Sequence, residues 1–414
     1  MIQSLFILSS TGEVIIEKHW RGVLSRSICN EFWDHVCKAE SPEEVIPVIT
    51  TSKHYLIHVY RNGLFFLSTV QTEVPPLLVI EFLNRTIEIF EDYFGEVNED
   101  AIKENFVTVY QLLDEMLDNG LPLTTEPNVL KSMILPPSLA NKIMASVGGQ
   151  SSVRSALPDG SMSNVPWRRQ GIKYASNEIY FDVIEELDCI IDSNGLVISS
   201  DISGEIQCNC RLTGMPDLTL TLNNPTVIDD CSFHPCVRYA RYQSDRIISF
   251  VPADGVFRLM TYRVRQQVQP PLYVKPQITI SNGQIRVNVM VGSKQVLPKA
   301  IEEVVVTIPL PKTVSSANLT ANFGHAVFDE INKVCKWDIG RIPKDKTPVL
   351  SGTATLMAGQ PVPDGNPPLS VDFKISMYSI SGLKIDSLNI MSEKYKPFKG
   401  ARSLTKAGKF QIRC

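Results

Sequence analysis

Apolar residues in the first third of the chain recur at two periods. Two short runs, Ile2 to Leu8 and Val14 to Lys18, flank Ser10-Thr11-Gly12 and predict a hairpin. Leu24, Ile28, Phe32 and Val36 then repeat at helical spacing and predict an amphipathic helix over it. A second hairpin is expected from Tyr55 to Tyr60 and Leu64 to Val70, joined by Arg61-Asn62-Gly63, because Asn and Gly both tolerate positive φ. After Pro75-Pro76, the residues Val79, Phe82, Leu83, Ile87, Phe90 and Phe94 line one side of a long helix that stops at Gly95. A further helix is expected from about Ala101 to Asp118, with Ile102, Phe106, Val109, Leu113 and Met116 inward and Gly120 as its stop. Such an α/β module offers no catalytic constellation.

From Ser146 to Val165 the chain turns to Ser and Gly with few large apolar residues, the composition of a flexible linker. Beyond it helical periodicity all but disappears. Short strands are expected at Leu196 to Ile202, Leu218 to Leu222, Ile247 to Phe250, Phe257 to Val264, Ile278 to Ile280, Ile285 to Val291, Glu303 to Ile308, Leu350 to Met357 and Val371 to Met377. Asn194-Gly195, Asp254-Gly255 and Asn282-Gly283 each read as a hairpin turn. So many strands indicate a long β-sandwich, or two joined side by side. The fold class is therefore α+β.

Within this half, Trp167 to Ile190 carries the most distinctive pattern. Ile179, Phe181 and Val183 fall on one face of a strand, and Tyr180, Asp182 and Ile184 on the other. A carboxylate between an aromatic and an aliphatic residue suits a small site, and the bland alternative is a polar face turned to water. If this strand lies near a sheet edge, an extended peptide can dock beside it and offer Asp182 a hydroxyl.

Composition narrows the classes without choosing one. At 414 residues, two or three domains are expected. A net charge of -4 gives no global attraction to nucleic acid or anionic membrane. No apolar run approaches the ~18 residues of a membrane span. The N-terminus has no basic segment of a secretory signal, and nine unevenly spaced cysteines fit free thiols in a reducing compartment. No phosphate loop, nucleophile elbow, HExxH or dinucleotide fingerprint occurs. His54 and His58 share a strand face without further ligands. Cys208-x-Cys210 with Cys231, His234 and Cys236 admits two readings, a zinc tetrahedron or small buried thiols of a β core. The spacing matches no common structural zinc module, so no metal, cofactor or catalytic residue is expected.

Several long motifs occur in one order: Trp167 through Asp182, Leu212-Thr213-Gly214-Met215-Pro216-Asp217, Asp229 through Arg238, and Ile248 through Phe257. Together they resemble the mu-homology domain of the medium subunits of heterotetrameric adaptor complexes. Asp92-Tyr93-Phe94-Gly95 and Asp114 through Gly120 resemble the longin-like domain of the same subunits. The ending, Glu393 through Gly400 and Thr405 through Phe410, resembles the branch of the third adaptor complex. The resemblance implies a longin-like domain at 1–143, a linker at 144–165 and a mu-homology domain at 166–414. That last domain would be an immunoglobulin-like β-sandwich with a second β subdomain inserted at about 266–375.

The resemblance also implies a function without enzymatic activity: recognition of Tyr-x-x-Φ signals, Φ being a bulky apolar residue, in the cytoplasmic tails of membrane cargo. On matching positions, Tyr180, Asp182 and Arg402 form the tyrosine pocket, with Asn209 where relatives carry a basic residue and Gly400 where they carry Trp. Ile385, Leu388 and Ala401 match the pocket for Φ. Lys384, Lys394, Lys396 and Lys399 form a basic patch that either faces a membrane or is a solvated edge. The partners implied are large and small subunits of delta, beta-3 and sigma-3 type, with an Arf-type small GTPase and phosphoinositide membrane as indirect ones. The implied location is the cytosolic face of Golgi, endosome and coated-vesicle membranes, on the way to lysosomes and related organelles. The rival within the family is a structural coat subunit with a vestigial groove.

Overall fold

The computed structural model describes residues 1–39, 41–137, 165–169, 171–281, 283–294, 299–342, 347–357 and 367–413, and nearly all of the expected linker lies outside them. The chain divides into two compact units, Met1–Arg169 and Gln170–Cys414.

The first unit contains β1 (Ser4–Leu8), β2 (Val14–His19), α1 (Ser27–Val36), β3 (Val48–Thr50), β4 (Tyr55–Arg61), β5 (Leu64–Val70), α2 (Pro76–Phe94), α3 (Glu99–Glu104), α4 (Phe106–Met116), β6 (Leu117–Asp118), β7 (Leu121–Pro122) and α5 (Pro127–Met133). Its antiparallel sheet has the order β2-β1-β5-β4-β3, and both expected hairpins are formed. Every residue of β1 and β5 is buried, because apolar layers cover both sides. Val79, Leu83, Phe90, Val109 and Leu113 pack on one sheet face, and Ile28, Phe32 and Phe65 belong to the core on the other. The single helix expected from Ala101 to Asp118 is two. Asn105 interrupts it, its side-chain amide donating to the Ala101 carbonyl at 2.8 Å, a local bond that competes with the helical ladder.

The second unit is nearly all β. Its elements are β8 (Glu178–Ile191), β9 (Val197–Arg211), β10 (Asp217–Leu222), β11 (Asp230–Phe233), α6 (Tyr239–Asp245), β12 (Ile248–Phe250), β13 (Gly255–Val264), β14 (Leu272–Ser281), β15 (Gln284–Ser293), β16 (Glu302–Pro309), β17 (Val314–Ala321), β18 (His325–Asp329), β19 (Val334–Gly340), β20 (Val349–Leu356), β21 (Leu369–Ser376), β22 (Ile385–Met391) and β23 (Phe398–Ile412). A sheet of nine runs β11-β13-β9-β8-β23-β21-β16-β19-β18, beside sheets of order β12-β10-β22 and β14-β15-β20-β17. Three differences from the sequence reading stand out. Helix α6 carries too little apolar periodicity to be seen, and the strands from Val314 to Gly340 have sparse aliphatics. Asp254-Gly255 turns no hairpin. It is a corner, since β12 pairs with β10 while β13 pairs with β9. Asn194-Gly195 does join β8 to β9, whereas Asn282 lies outside the described residues, with Ser281 and Gln284 paired around it.

Candidate functional site

β8 alternates as its sequence requires: Ile179, Phe181 and Val183 are buried, while Tyr180 is 42% exposed. The condition set for docking, a sheet edge close by, is met one strand away from β8 itself. β8 pairs with β9 on one side and with β23, in parallel, on the other. The free edge belongs to β23, whose pairing with β21 starts only at Leu404. From Phe398 to Ser403 no strand covers the outer side of β23 among the described residues. The Phe398 N–H donates to the Asn177 carbonyl at 2.9 Å on the β8 side. Because backbone groups of successive strand residues point to opposite edges, those of Lys399, Ala401 and Ser403 point outward.

The register assigns the candidate side chains to two faces. Arg402 stands opposite Asp182, and Tyr180 lies between Gly400 and Asn209. These five positions share one face. Arg402 binds Asp182 through both branches, Nε to Oδ1 at 2.5 Å and Nη2 to Oδ2 at 2.7 Å. That carboxylate holds the guanidinium pKa above its usual value by hydrogen bonding and charge. The Asp182 side chain is 27% exposed and that of Arg402 is 72% exposed, so the pair is open to solvent. As a surface ion pair it contributes ~0.2–1 kcal/mol, and the carboxylate keeps lone pairs for another donor. The Tyr180 hydroxyl donates to Glu178 at 2.9 Å, and this bond holds its pKa up. Its ring occupies the space above Gly400, where any Cβ would meet the ring at 2.5 Å.

Lys399 and Ala401 face the other way, with Ile179 and Phe181 as their neighbours on β8. Ile385 and Leu388 come from β22. Three residues apart, they would point to opposite faces of a regular strand, but a bulge at Asp386 brings both to the face of Leu222 and Leu220. The Lys399 ammonium donates to the Leu388 carbonyl at 2.5 Å and so ties β22 to this face of β23. Ile179 and Phe181 were not among the expected pocket residues, although the alternation of β8 already set them opposite Asp182. Lys384 precedes β22, while Lys394 and Lys396 lie in the connector to β23; all three are exposed.

The long motifs serve mainly as the frame of this site. Glu393 accepts the Met215 N–H at 3.1 Å, and the Tyr395 hydroxyl donates to the Thr213 carbonyl at 2.6 Å, locking the connector before β23 onto the Gly-Met-Pro turn. Arg238 grips Asp217 at 2.7 Å and 3.1 Å. A cavity of about 390 Å³ lies farther along the sheet, beside Glu186, Glu205, Asp230 and Arg263, with Ile184 as its one aliphatic wall. Four charged side chains line it, and none of the residues matched to the peptide site borders it.

Ser4, His19 and Glu17 form a relay at 2.6 Å and 2.8 Å, but Ser4 is fully buried and cannot meet a substrate. Burial pushes the Cys208 thiol well up, the proximity of Cys210 and Cys236 adding to it. Among the described residues no group of three or more His, Cys, Asp or Glu is arranged to hold a metal, and no helix is long and apolar enough to cross a membrane.

Comparison with known proteins agrees with this architecture. The family model described as "Adaptor complexes medium subunit family" matches residues 165–414, and that of the "Clathrin adaptor complex small chain" matches residues 1–136. The AP-3 complex subunit mu of Dictyostelium discoideum is 54% identical over 421 residues, with 100% of both chains covered. The AP-3 complex subunit mu-1 of Homo sapiens is 50% identical over 417 residues, again with 100% of both covered. A chain of the "Homology model of the full-length AP-3 complex in an intermediate open conformation" covers 100% of this chain and is itself covered in full. Its TM-score is 0.62 and its identity 15%, a likeness of fold. The chain belongs to the adaptor complexes medium subunit family.

Proposed function

We propose that this mu subunit reads Tyr-x-x-Φ signals by adding the cargo tail as a strand to the open edge of β23. The vesicle-coat role, alongside the other subunits of an adaptor complex, follows from the family; the signal, its route and its membrane partners are our reading. The observation that carries it is the uncovered edge from Phe398 to Ser403, with different chemistry on its two sides.

An extended peptide places residues three apart on opposite faces, ~10 Å from each other along the strand. A tyrosine on the Asp182 face therefore puts Φ on the face of Ala401, Leu388 and Ile385. The spacing of the signal is thus the spacing of the two faces. Asp182 accepts the tyrosine hydroxyl, Arg402 holds that carboxylate in place and stacks beside the ring, and Tyr180 and Asn209 flank it. A phosphate on the tyrosine would bring about two negative charges to Asp182 and would have to break its bond to Arg402, so phosphorylated tails bind more weakly.

A charge-assisted hydrogen bond contributes ~1.5–3 kcal/mol and burial of Φ a similar amount. Micromolar affinity, near -8 kcal/mol, is the expected upper range after association costs. One groove cannot hold a coat on a membrane, so several contacts act together. On this reading an Arf-type GTPase and phosphoinositides supply the rest, with Lys384, Lys394 and Lys396 turned to lipid, on Golgi and endosomal membranes supplying lysosomes.

Titration of the full chain with a Tyr-x-x-Leu tail peptide tests this. Asp182→Ala is expected to weaken binding by about tenfold to a hundredfold. Equal binding by both proteins, or none by either, would overturn the site assignment, and none by either would leave a structural coat subunit with a vestigial groove.

A further inference from the structure

β8 carries one residue that breaks its own apolar row. Glu185 follows Ile179, Phe181 and Val183 on the inward face and is 0% exposed. A buried carboxylate survives only with partners, and Glu185 has three donors. The Tyr262 hydroxyl donates to Oε1 at 2.8 Å, the Ser381 hydroxyl donates to the same oxygen, and the Ser381 N–H donates to Oε2 at 3.1 Å. The arrangement is built for Tyr262 to reach in: Gly204 stands opposite both Glu185 and Tyr262, and any Cβ there would meet the Tyr262 ring at 2.2 Å. Burial first, and the Glu185 charge second, push the Tyr262 pKa far up, so the phenol stays a donor.

What Glu185 grips is the crossing between two sheets. Residues 377–384 leave β21 in the nine-stranded sheet and deliver β22 to the three-stranded one. Ser381 is the hub of this segment. Its hydroxyl oxygen accepts the Leu383 N–H at 3.0 Å and lies 3.2 Å from that of Ser379. Thr405 of β23 donates to the Tyr378 carbonyl at 3.0 Å, and Asn223 accepts the Lys384 N–H at 2.7 Å. β22 begins one residue later, with Ile385.

We propose that Glu185 is a positioning residue for the apolar pocket: through Ser381 it sets where β22 stands against β23, and hence how well Φ is distinguished. This rests on the groove reading given above. Packing alone would hold the segment loosely in register; two directional bonds from Ser381 to the Glu185 carboxylate, which the Tyr262 hydroxyl holds in place, fix it along and across the strand. The tyrosine face does not depend on this bolt. Tyr180, Asp182 and Arg402 are held by the β8–β23 ladder, on the opposite side of the sheet from Glu185. The two selectivities of the groove are therefore separable.

The test uses the full chain, Glu185→Gln and Ser381→Ala, with three fluorescent peptides: Tyr-x-x-Leu, Tyr-x-x-Ala and Phe-x-x-Leu. Glu185→Gln turns an amide N–H₂ toward the Ser381 N–H, and Ser381→Ala keeps the Tyr262 bond while removing the hydroxyl. Both variants are expected to lower the Leu-over-Ala preference by about threefold to tenfold while keeping the Tyr-over-Phe preference within about twofold. Amide exchange at 383–388 should quicken by about tenfold without peptide, with β8 and β23 unchanged. An unchanged Leu-over-Ala preference, or an equal fall in both preferences, overturns the proposal. Exchange at 383–388 that stays as slow as in the wild type does so too. Absence of both preferences in the wild type overturns the groove reading itself, and the exchange result then reports on the bolt separately.

Discussion

The two units solve the same problem, covering a β-sheet, with partners at different distances along the chain. In the first, β4 and β5 pair around Asn62-Gly63 and α1 follows directly on the β1–β2 hairpin it covers. In the second, Asp182 meets Arg402 across 220 positions of sequence. Neighbouring elements are found by local pattern, so the first unit is a matter of core. Distant strands create edges and faces that no local pattern announces, and the site arises there.

That contrast can be strained most severely from the first unit. Phe66, fully buried on β5, has its ring 6.5 Å from that of Phe90 on α2. Phe66→Ala is expected to cost ~3–5 kcal/mol in a denaturant titration; a loss under ~1 kcal/mol would mean that this core is not the source of the unit's stability.

Acid acts next. His58 is buried against Phe32 and Phe65, with ring centroids 5.0 Å and 5.9 Å away. Burial lowers its pKa from 6.5 to about 4. The unfolded chain therefore takes up the proton first as the pH falls. Its contribution is complete above the unfolded value and is lost between 6.5 and about 4, by roughly 3 kcal/mol. Melting temperatures at neutral and acid pH should diverge less in His58→Leu than in the wild type; equal divergence would assign the acid sensitivity to other groups.

In the second unit the expected effects fall on binding rather than stability. Leu388→Ala should weaken a Tyr-x-x-Leu peptide by ~1.5–3 kcal/mol and a Tyr-x-x-Ala peptide hardly at all. Equal weakening of the two would detach β22 from the pocket. The smallest effect is expected at Lys406, whose ammonium is 2.5 Å from Glu186 on the exposed side of the same ladder. Lys406→Ala should change stability by no more than ~1 kcal/mol and leave peptide affinity as it is. A larger loss would show that the β8–β23 ladder leans on its outer charges.

How much of this was legible follows the same division. The alternation of β8 was read correctly from Ile179 to Ile184, and so were both hairpins and most inward positions of the first unit's helices. Phe106, expected inward, is 53% exposed, since it opens α4 just past the break at Asn105. The helix break at Asn105 was missed because an amide side chain competing for a carbonyl leaves the apolar period intact. Asp254-Gly255 was misread because a turn signal says that the chain reverses, without saying whether it stays in one sheet. The bulge at Asp386, which gathers Ile385 and Leu388, has no local signature in the sequence.

The sequence by itself determined the α+β class, most of the elements of the first unit, the family motifs and which side of β8 is apolar, since the elements and faces depend on periods of two and 3.6 residues. Only the tertiary structure decided that β8 is interior and β23 carries the open edge. It also decided that Arg402 faces Asp182 and that Glu185 is bonded rather than exposed. The reason is physical: a strand's period fixes the direction of its side chains, while its neighbours are chosen by pairing among segments far apart in the chain.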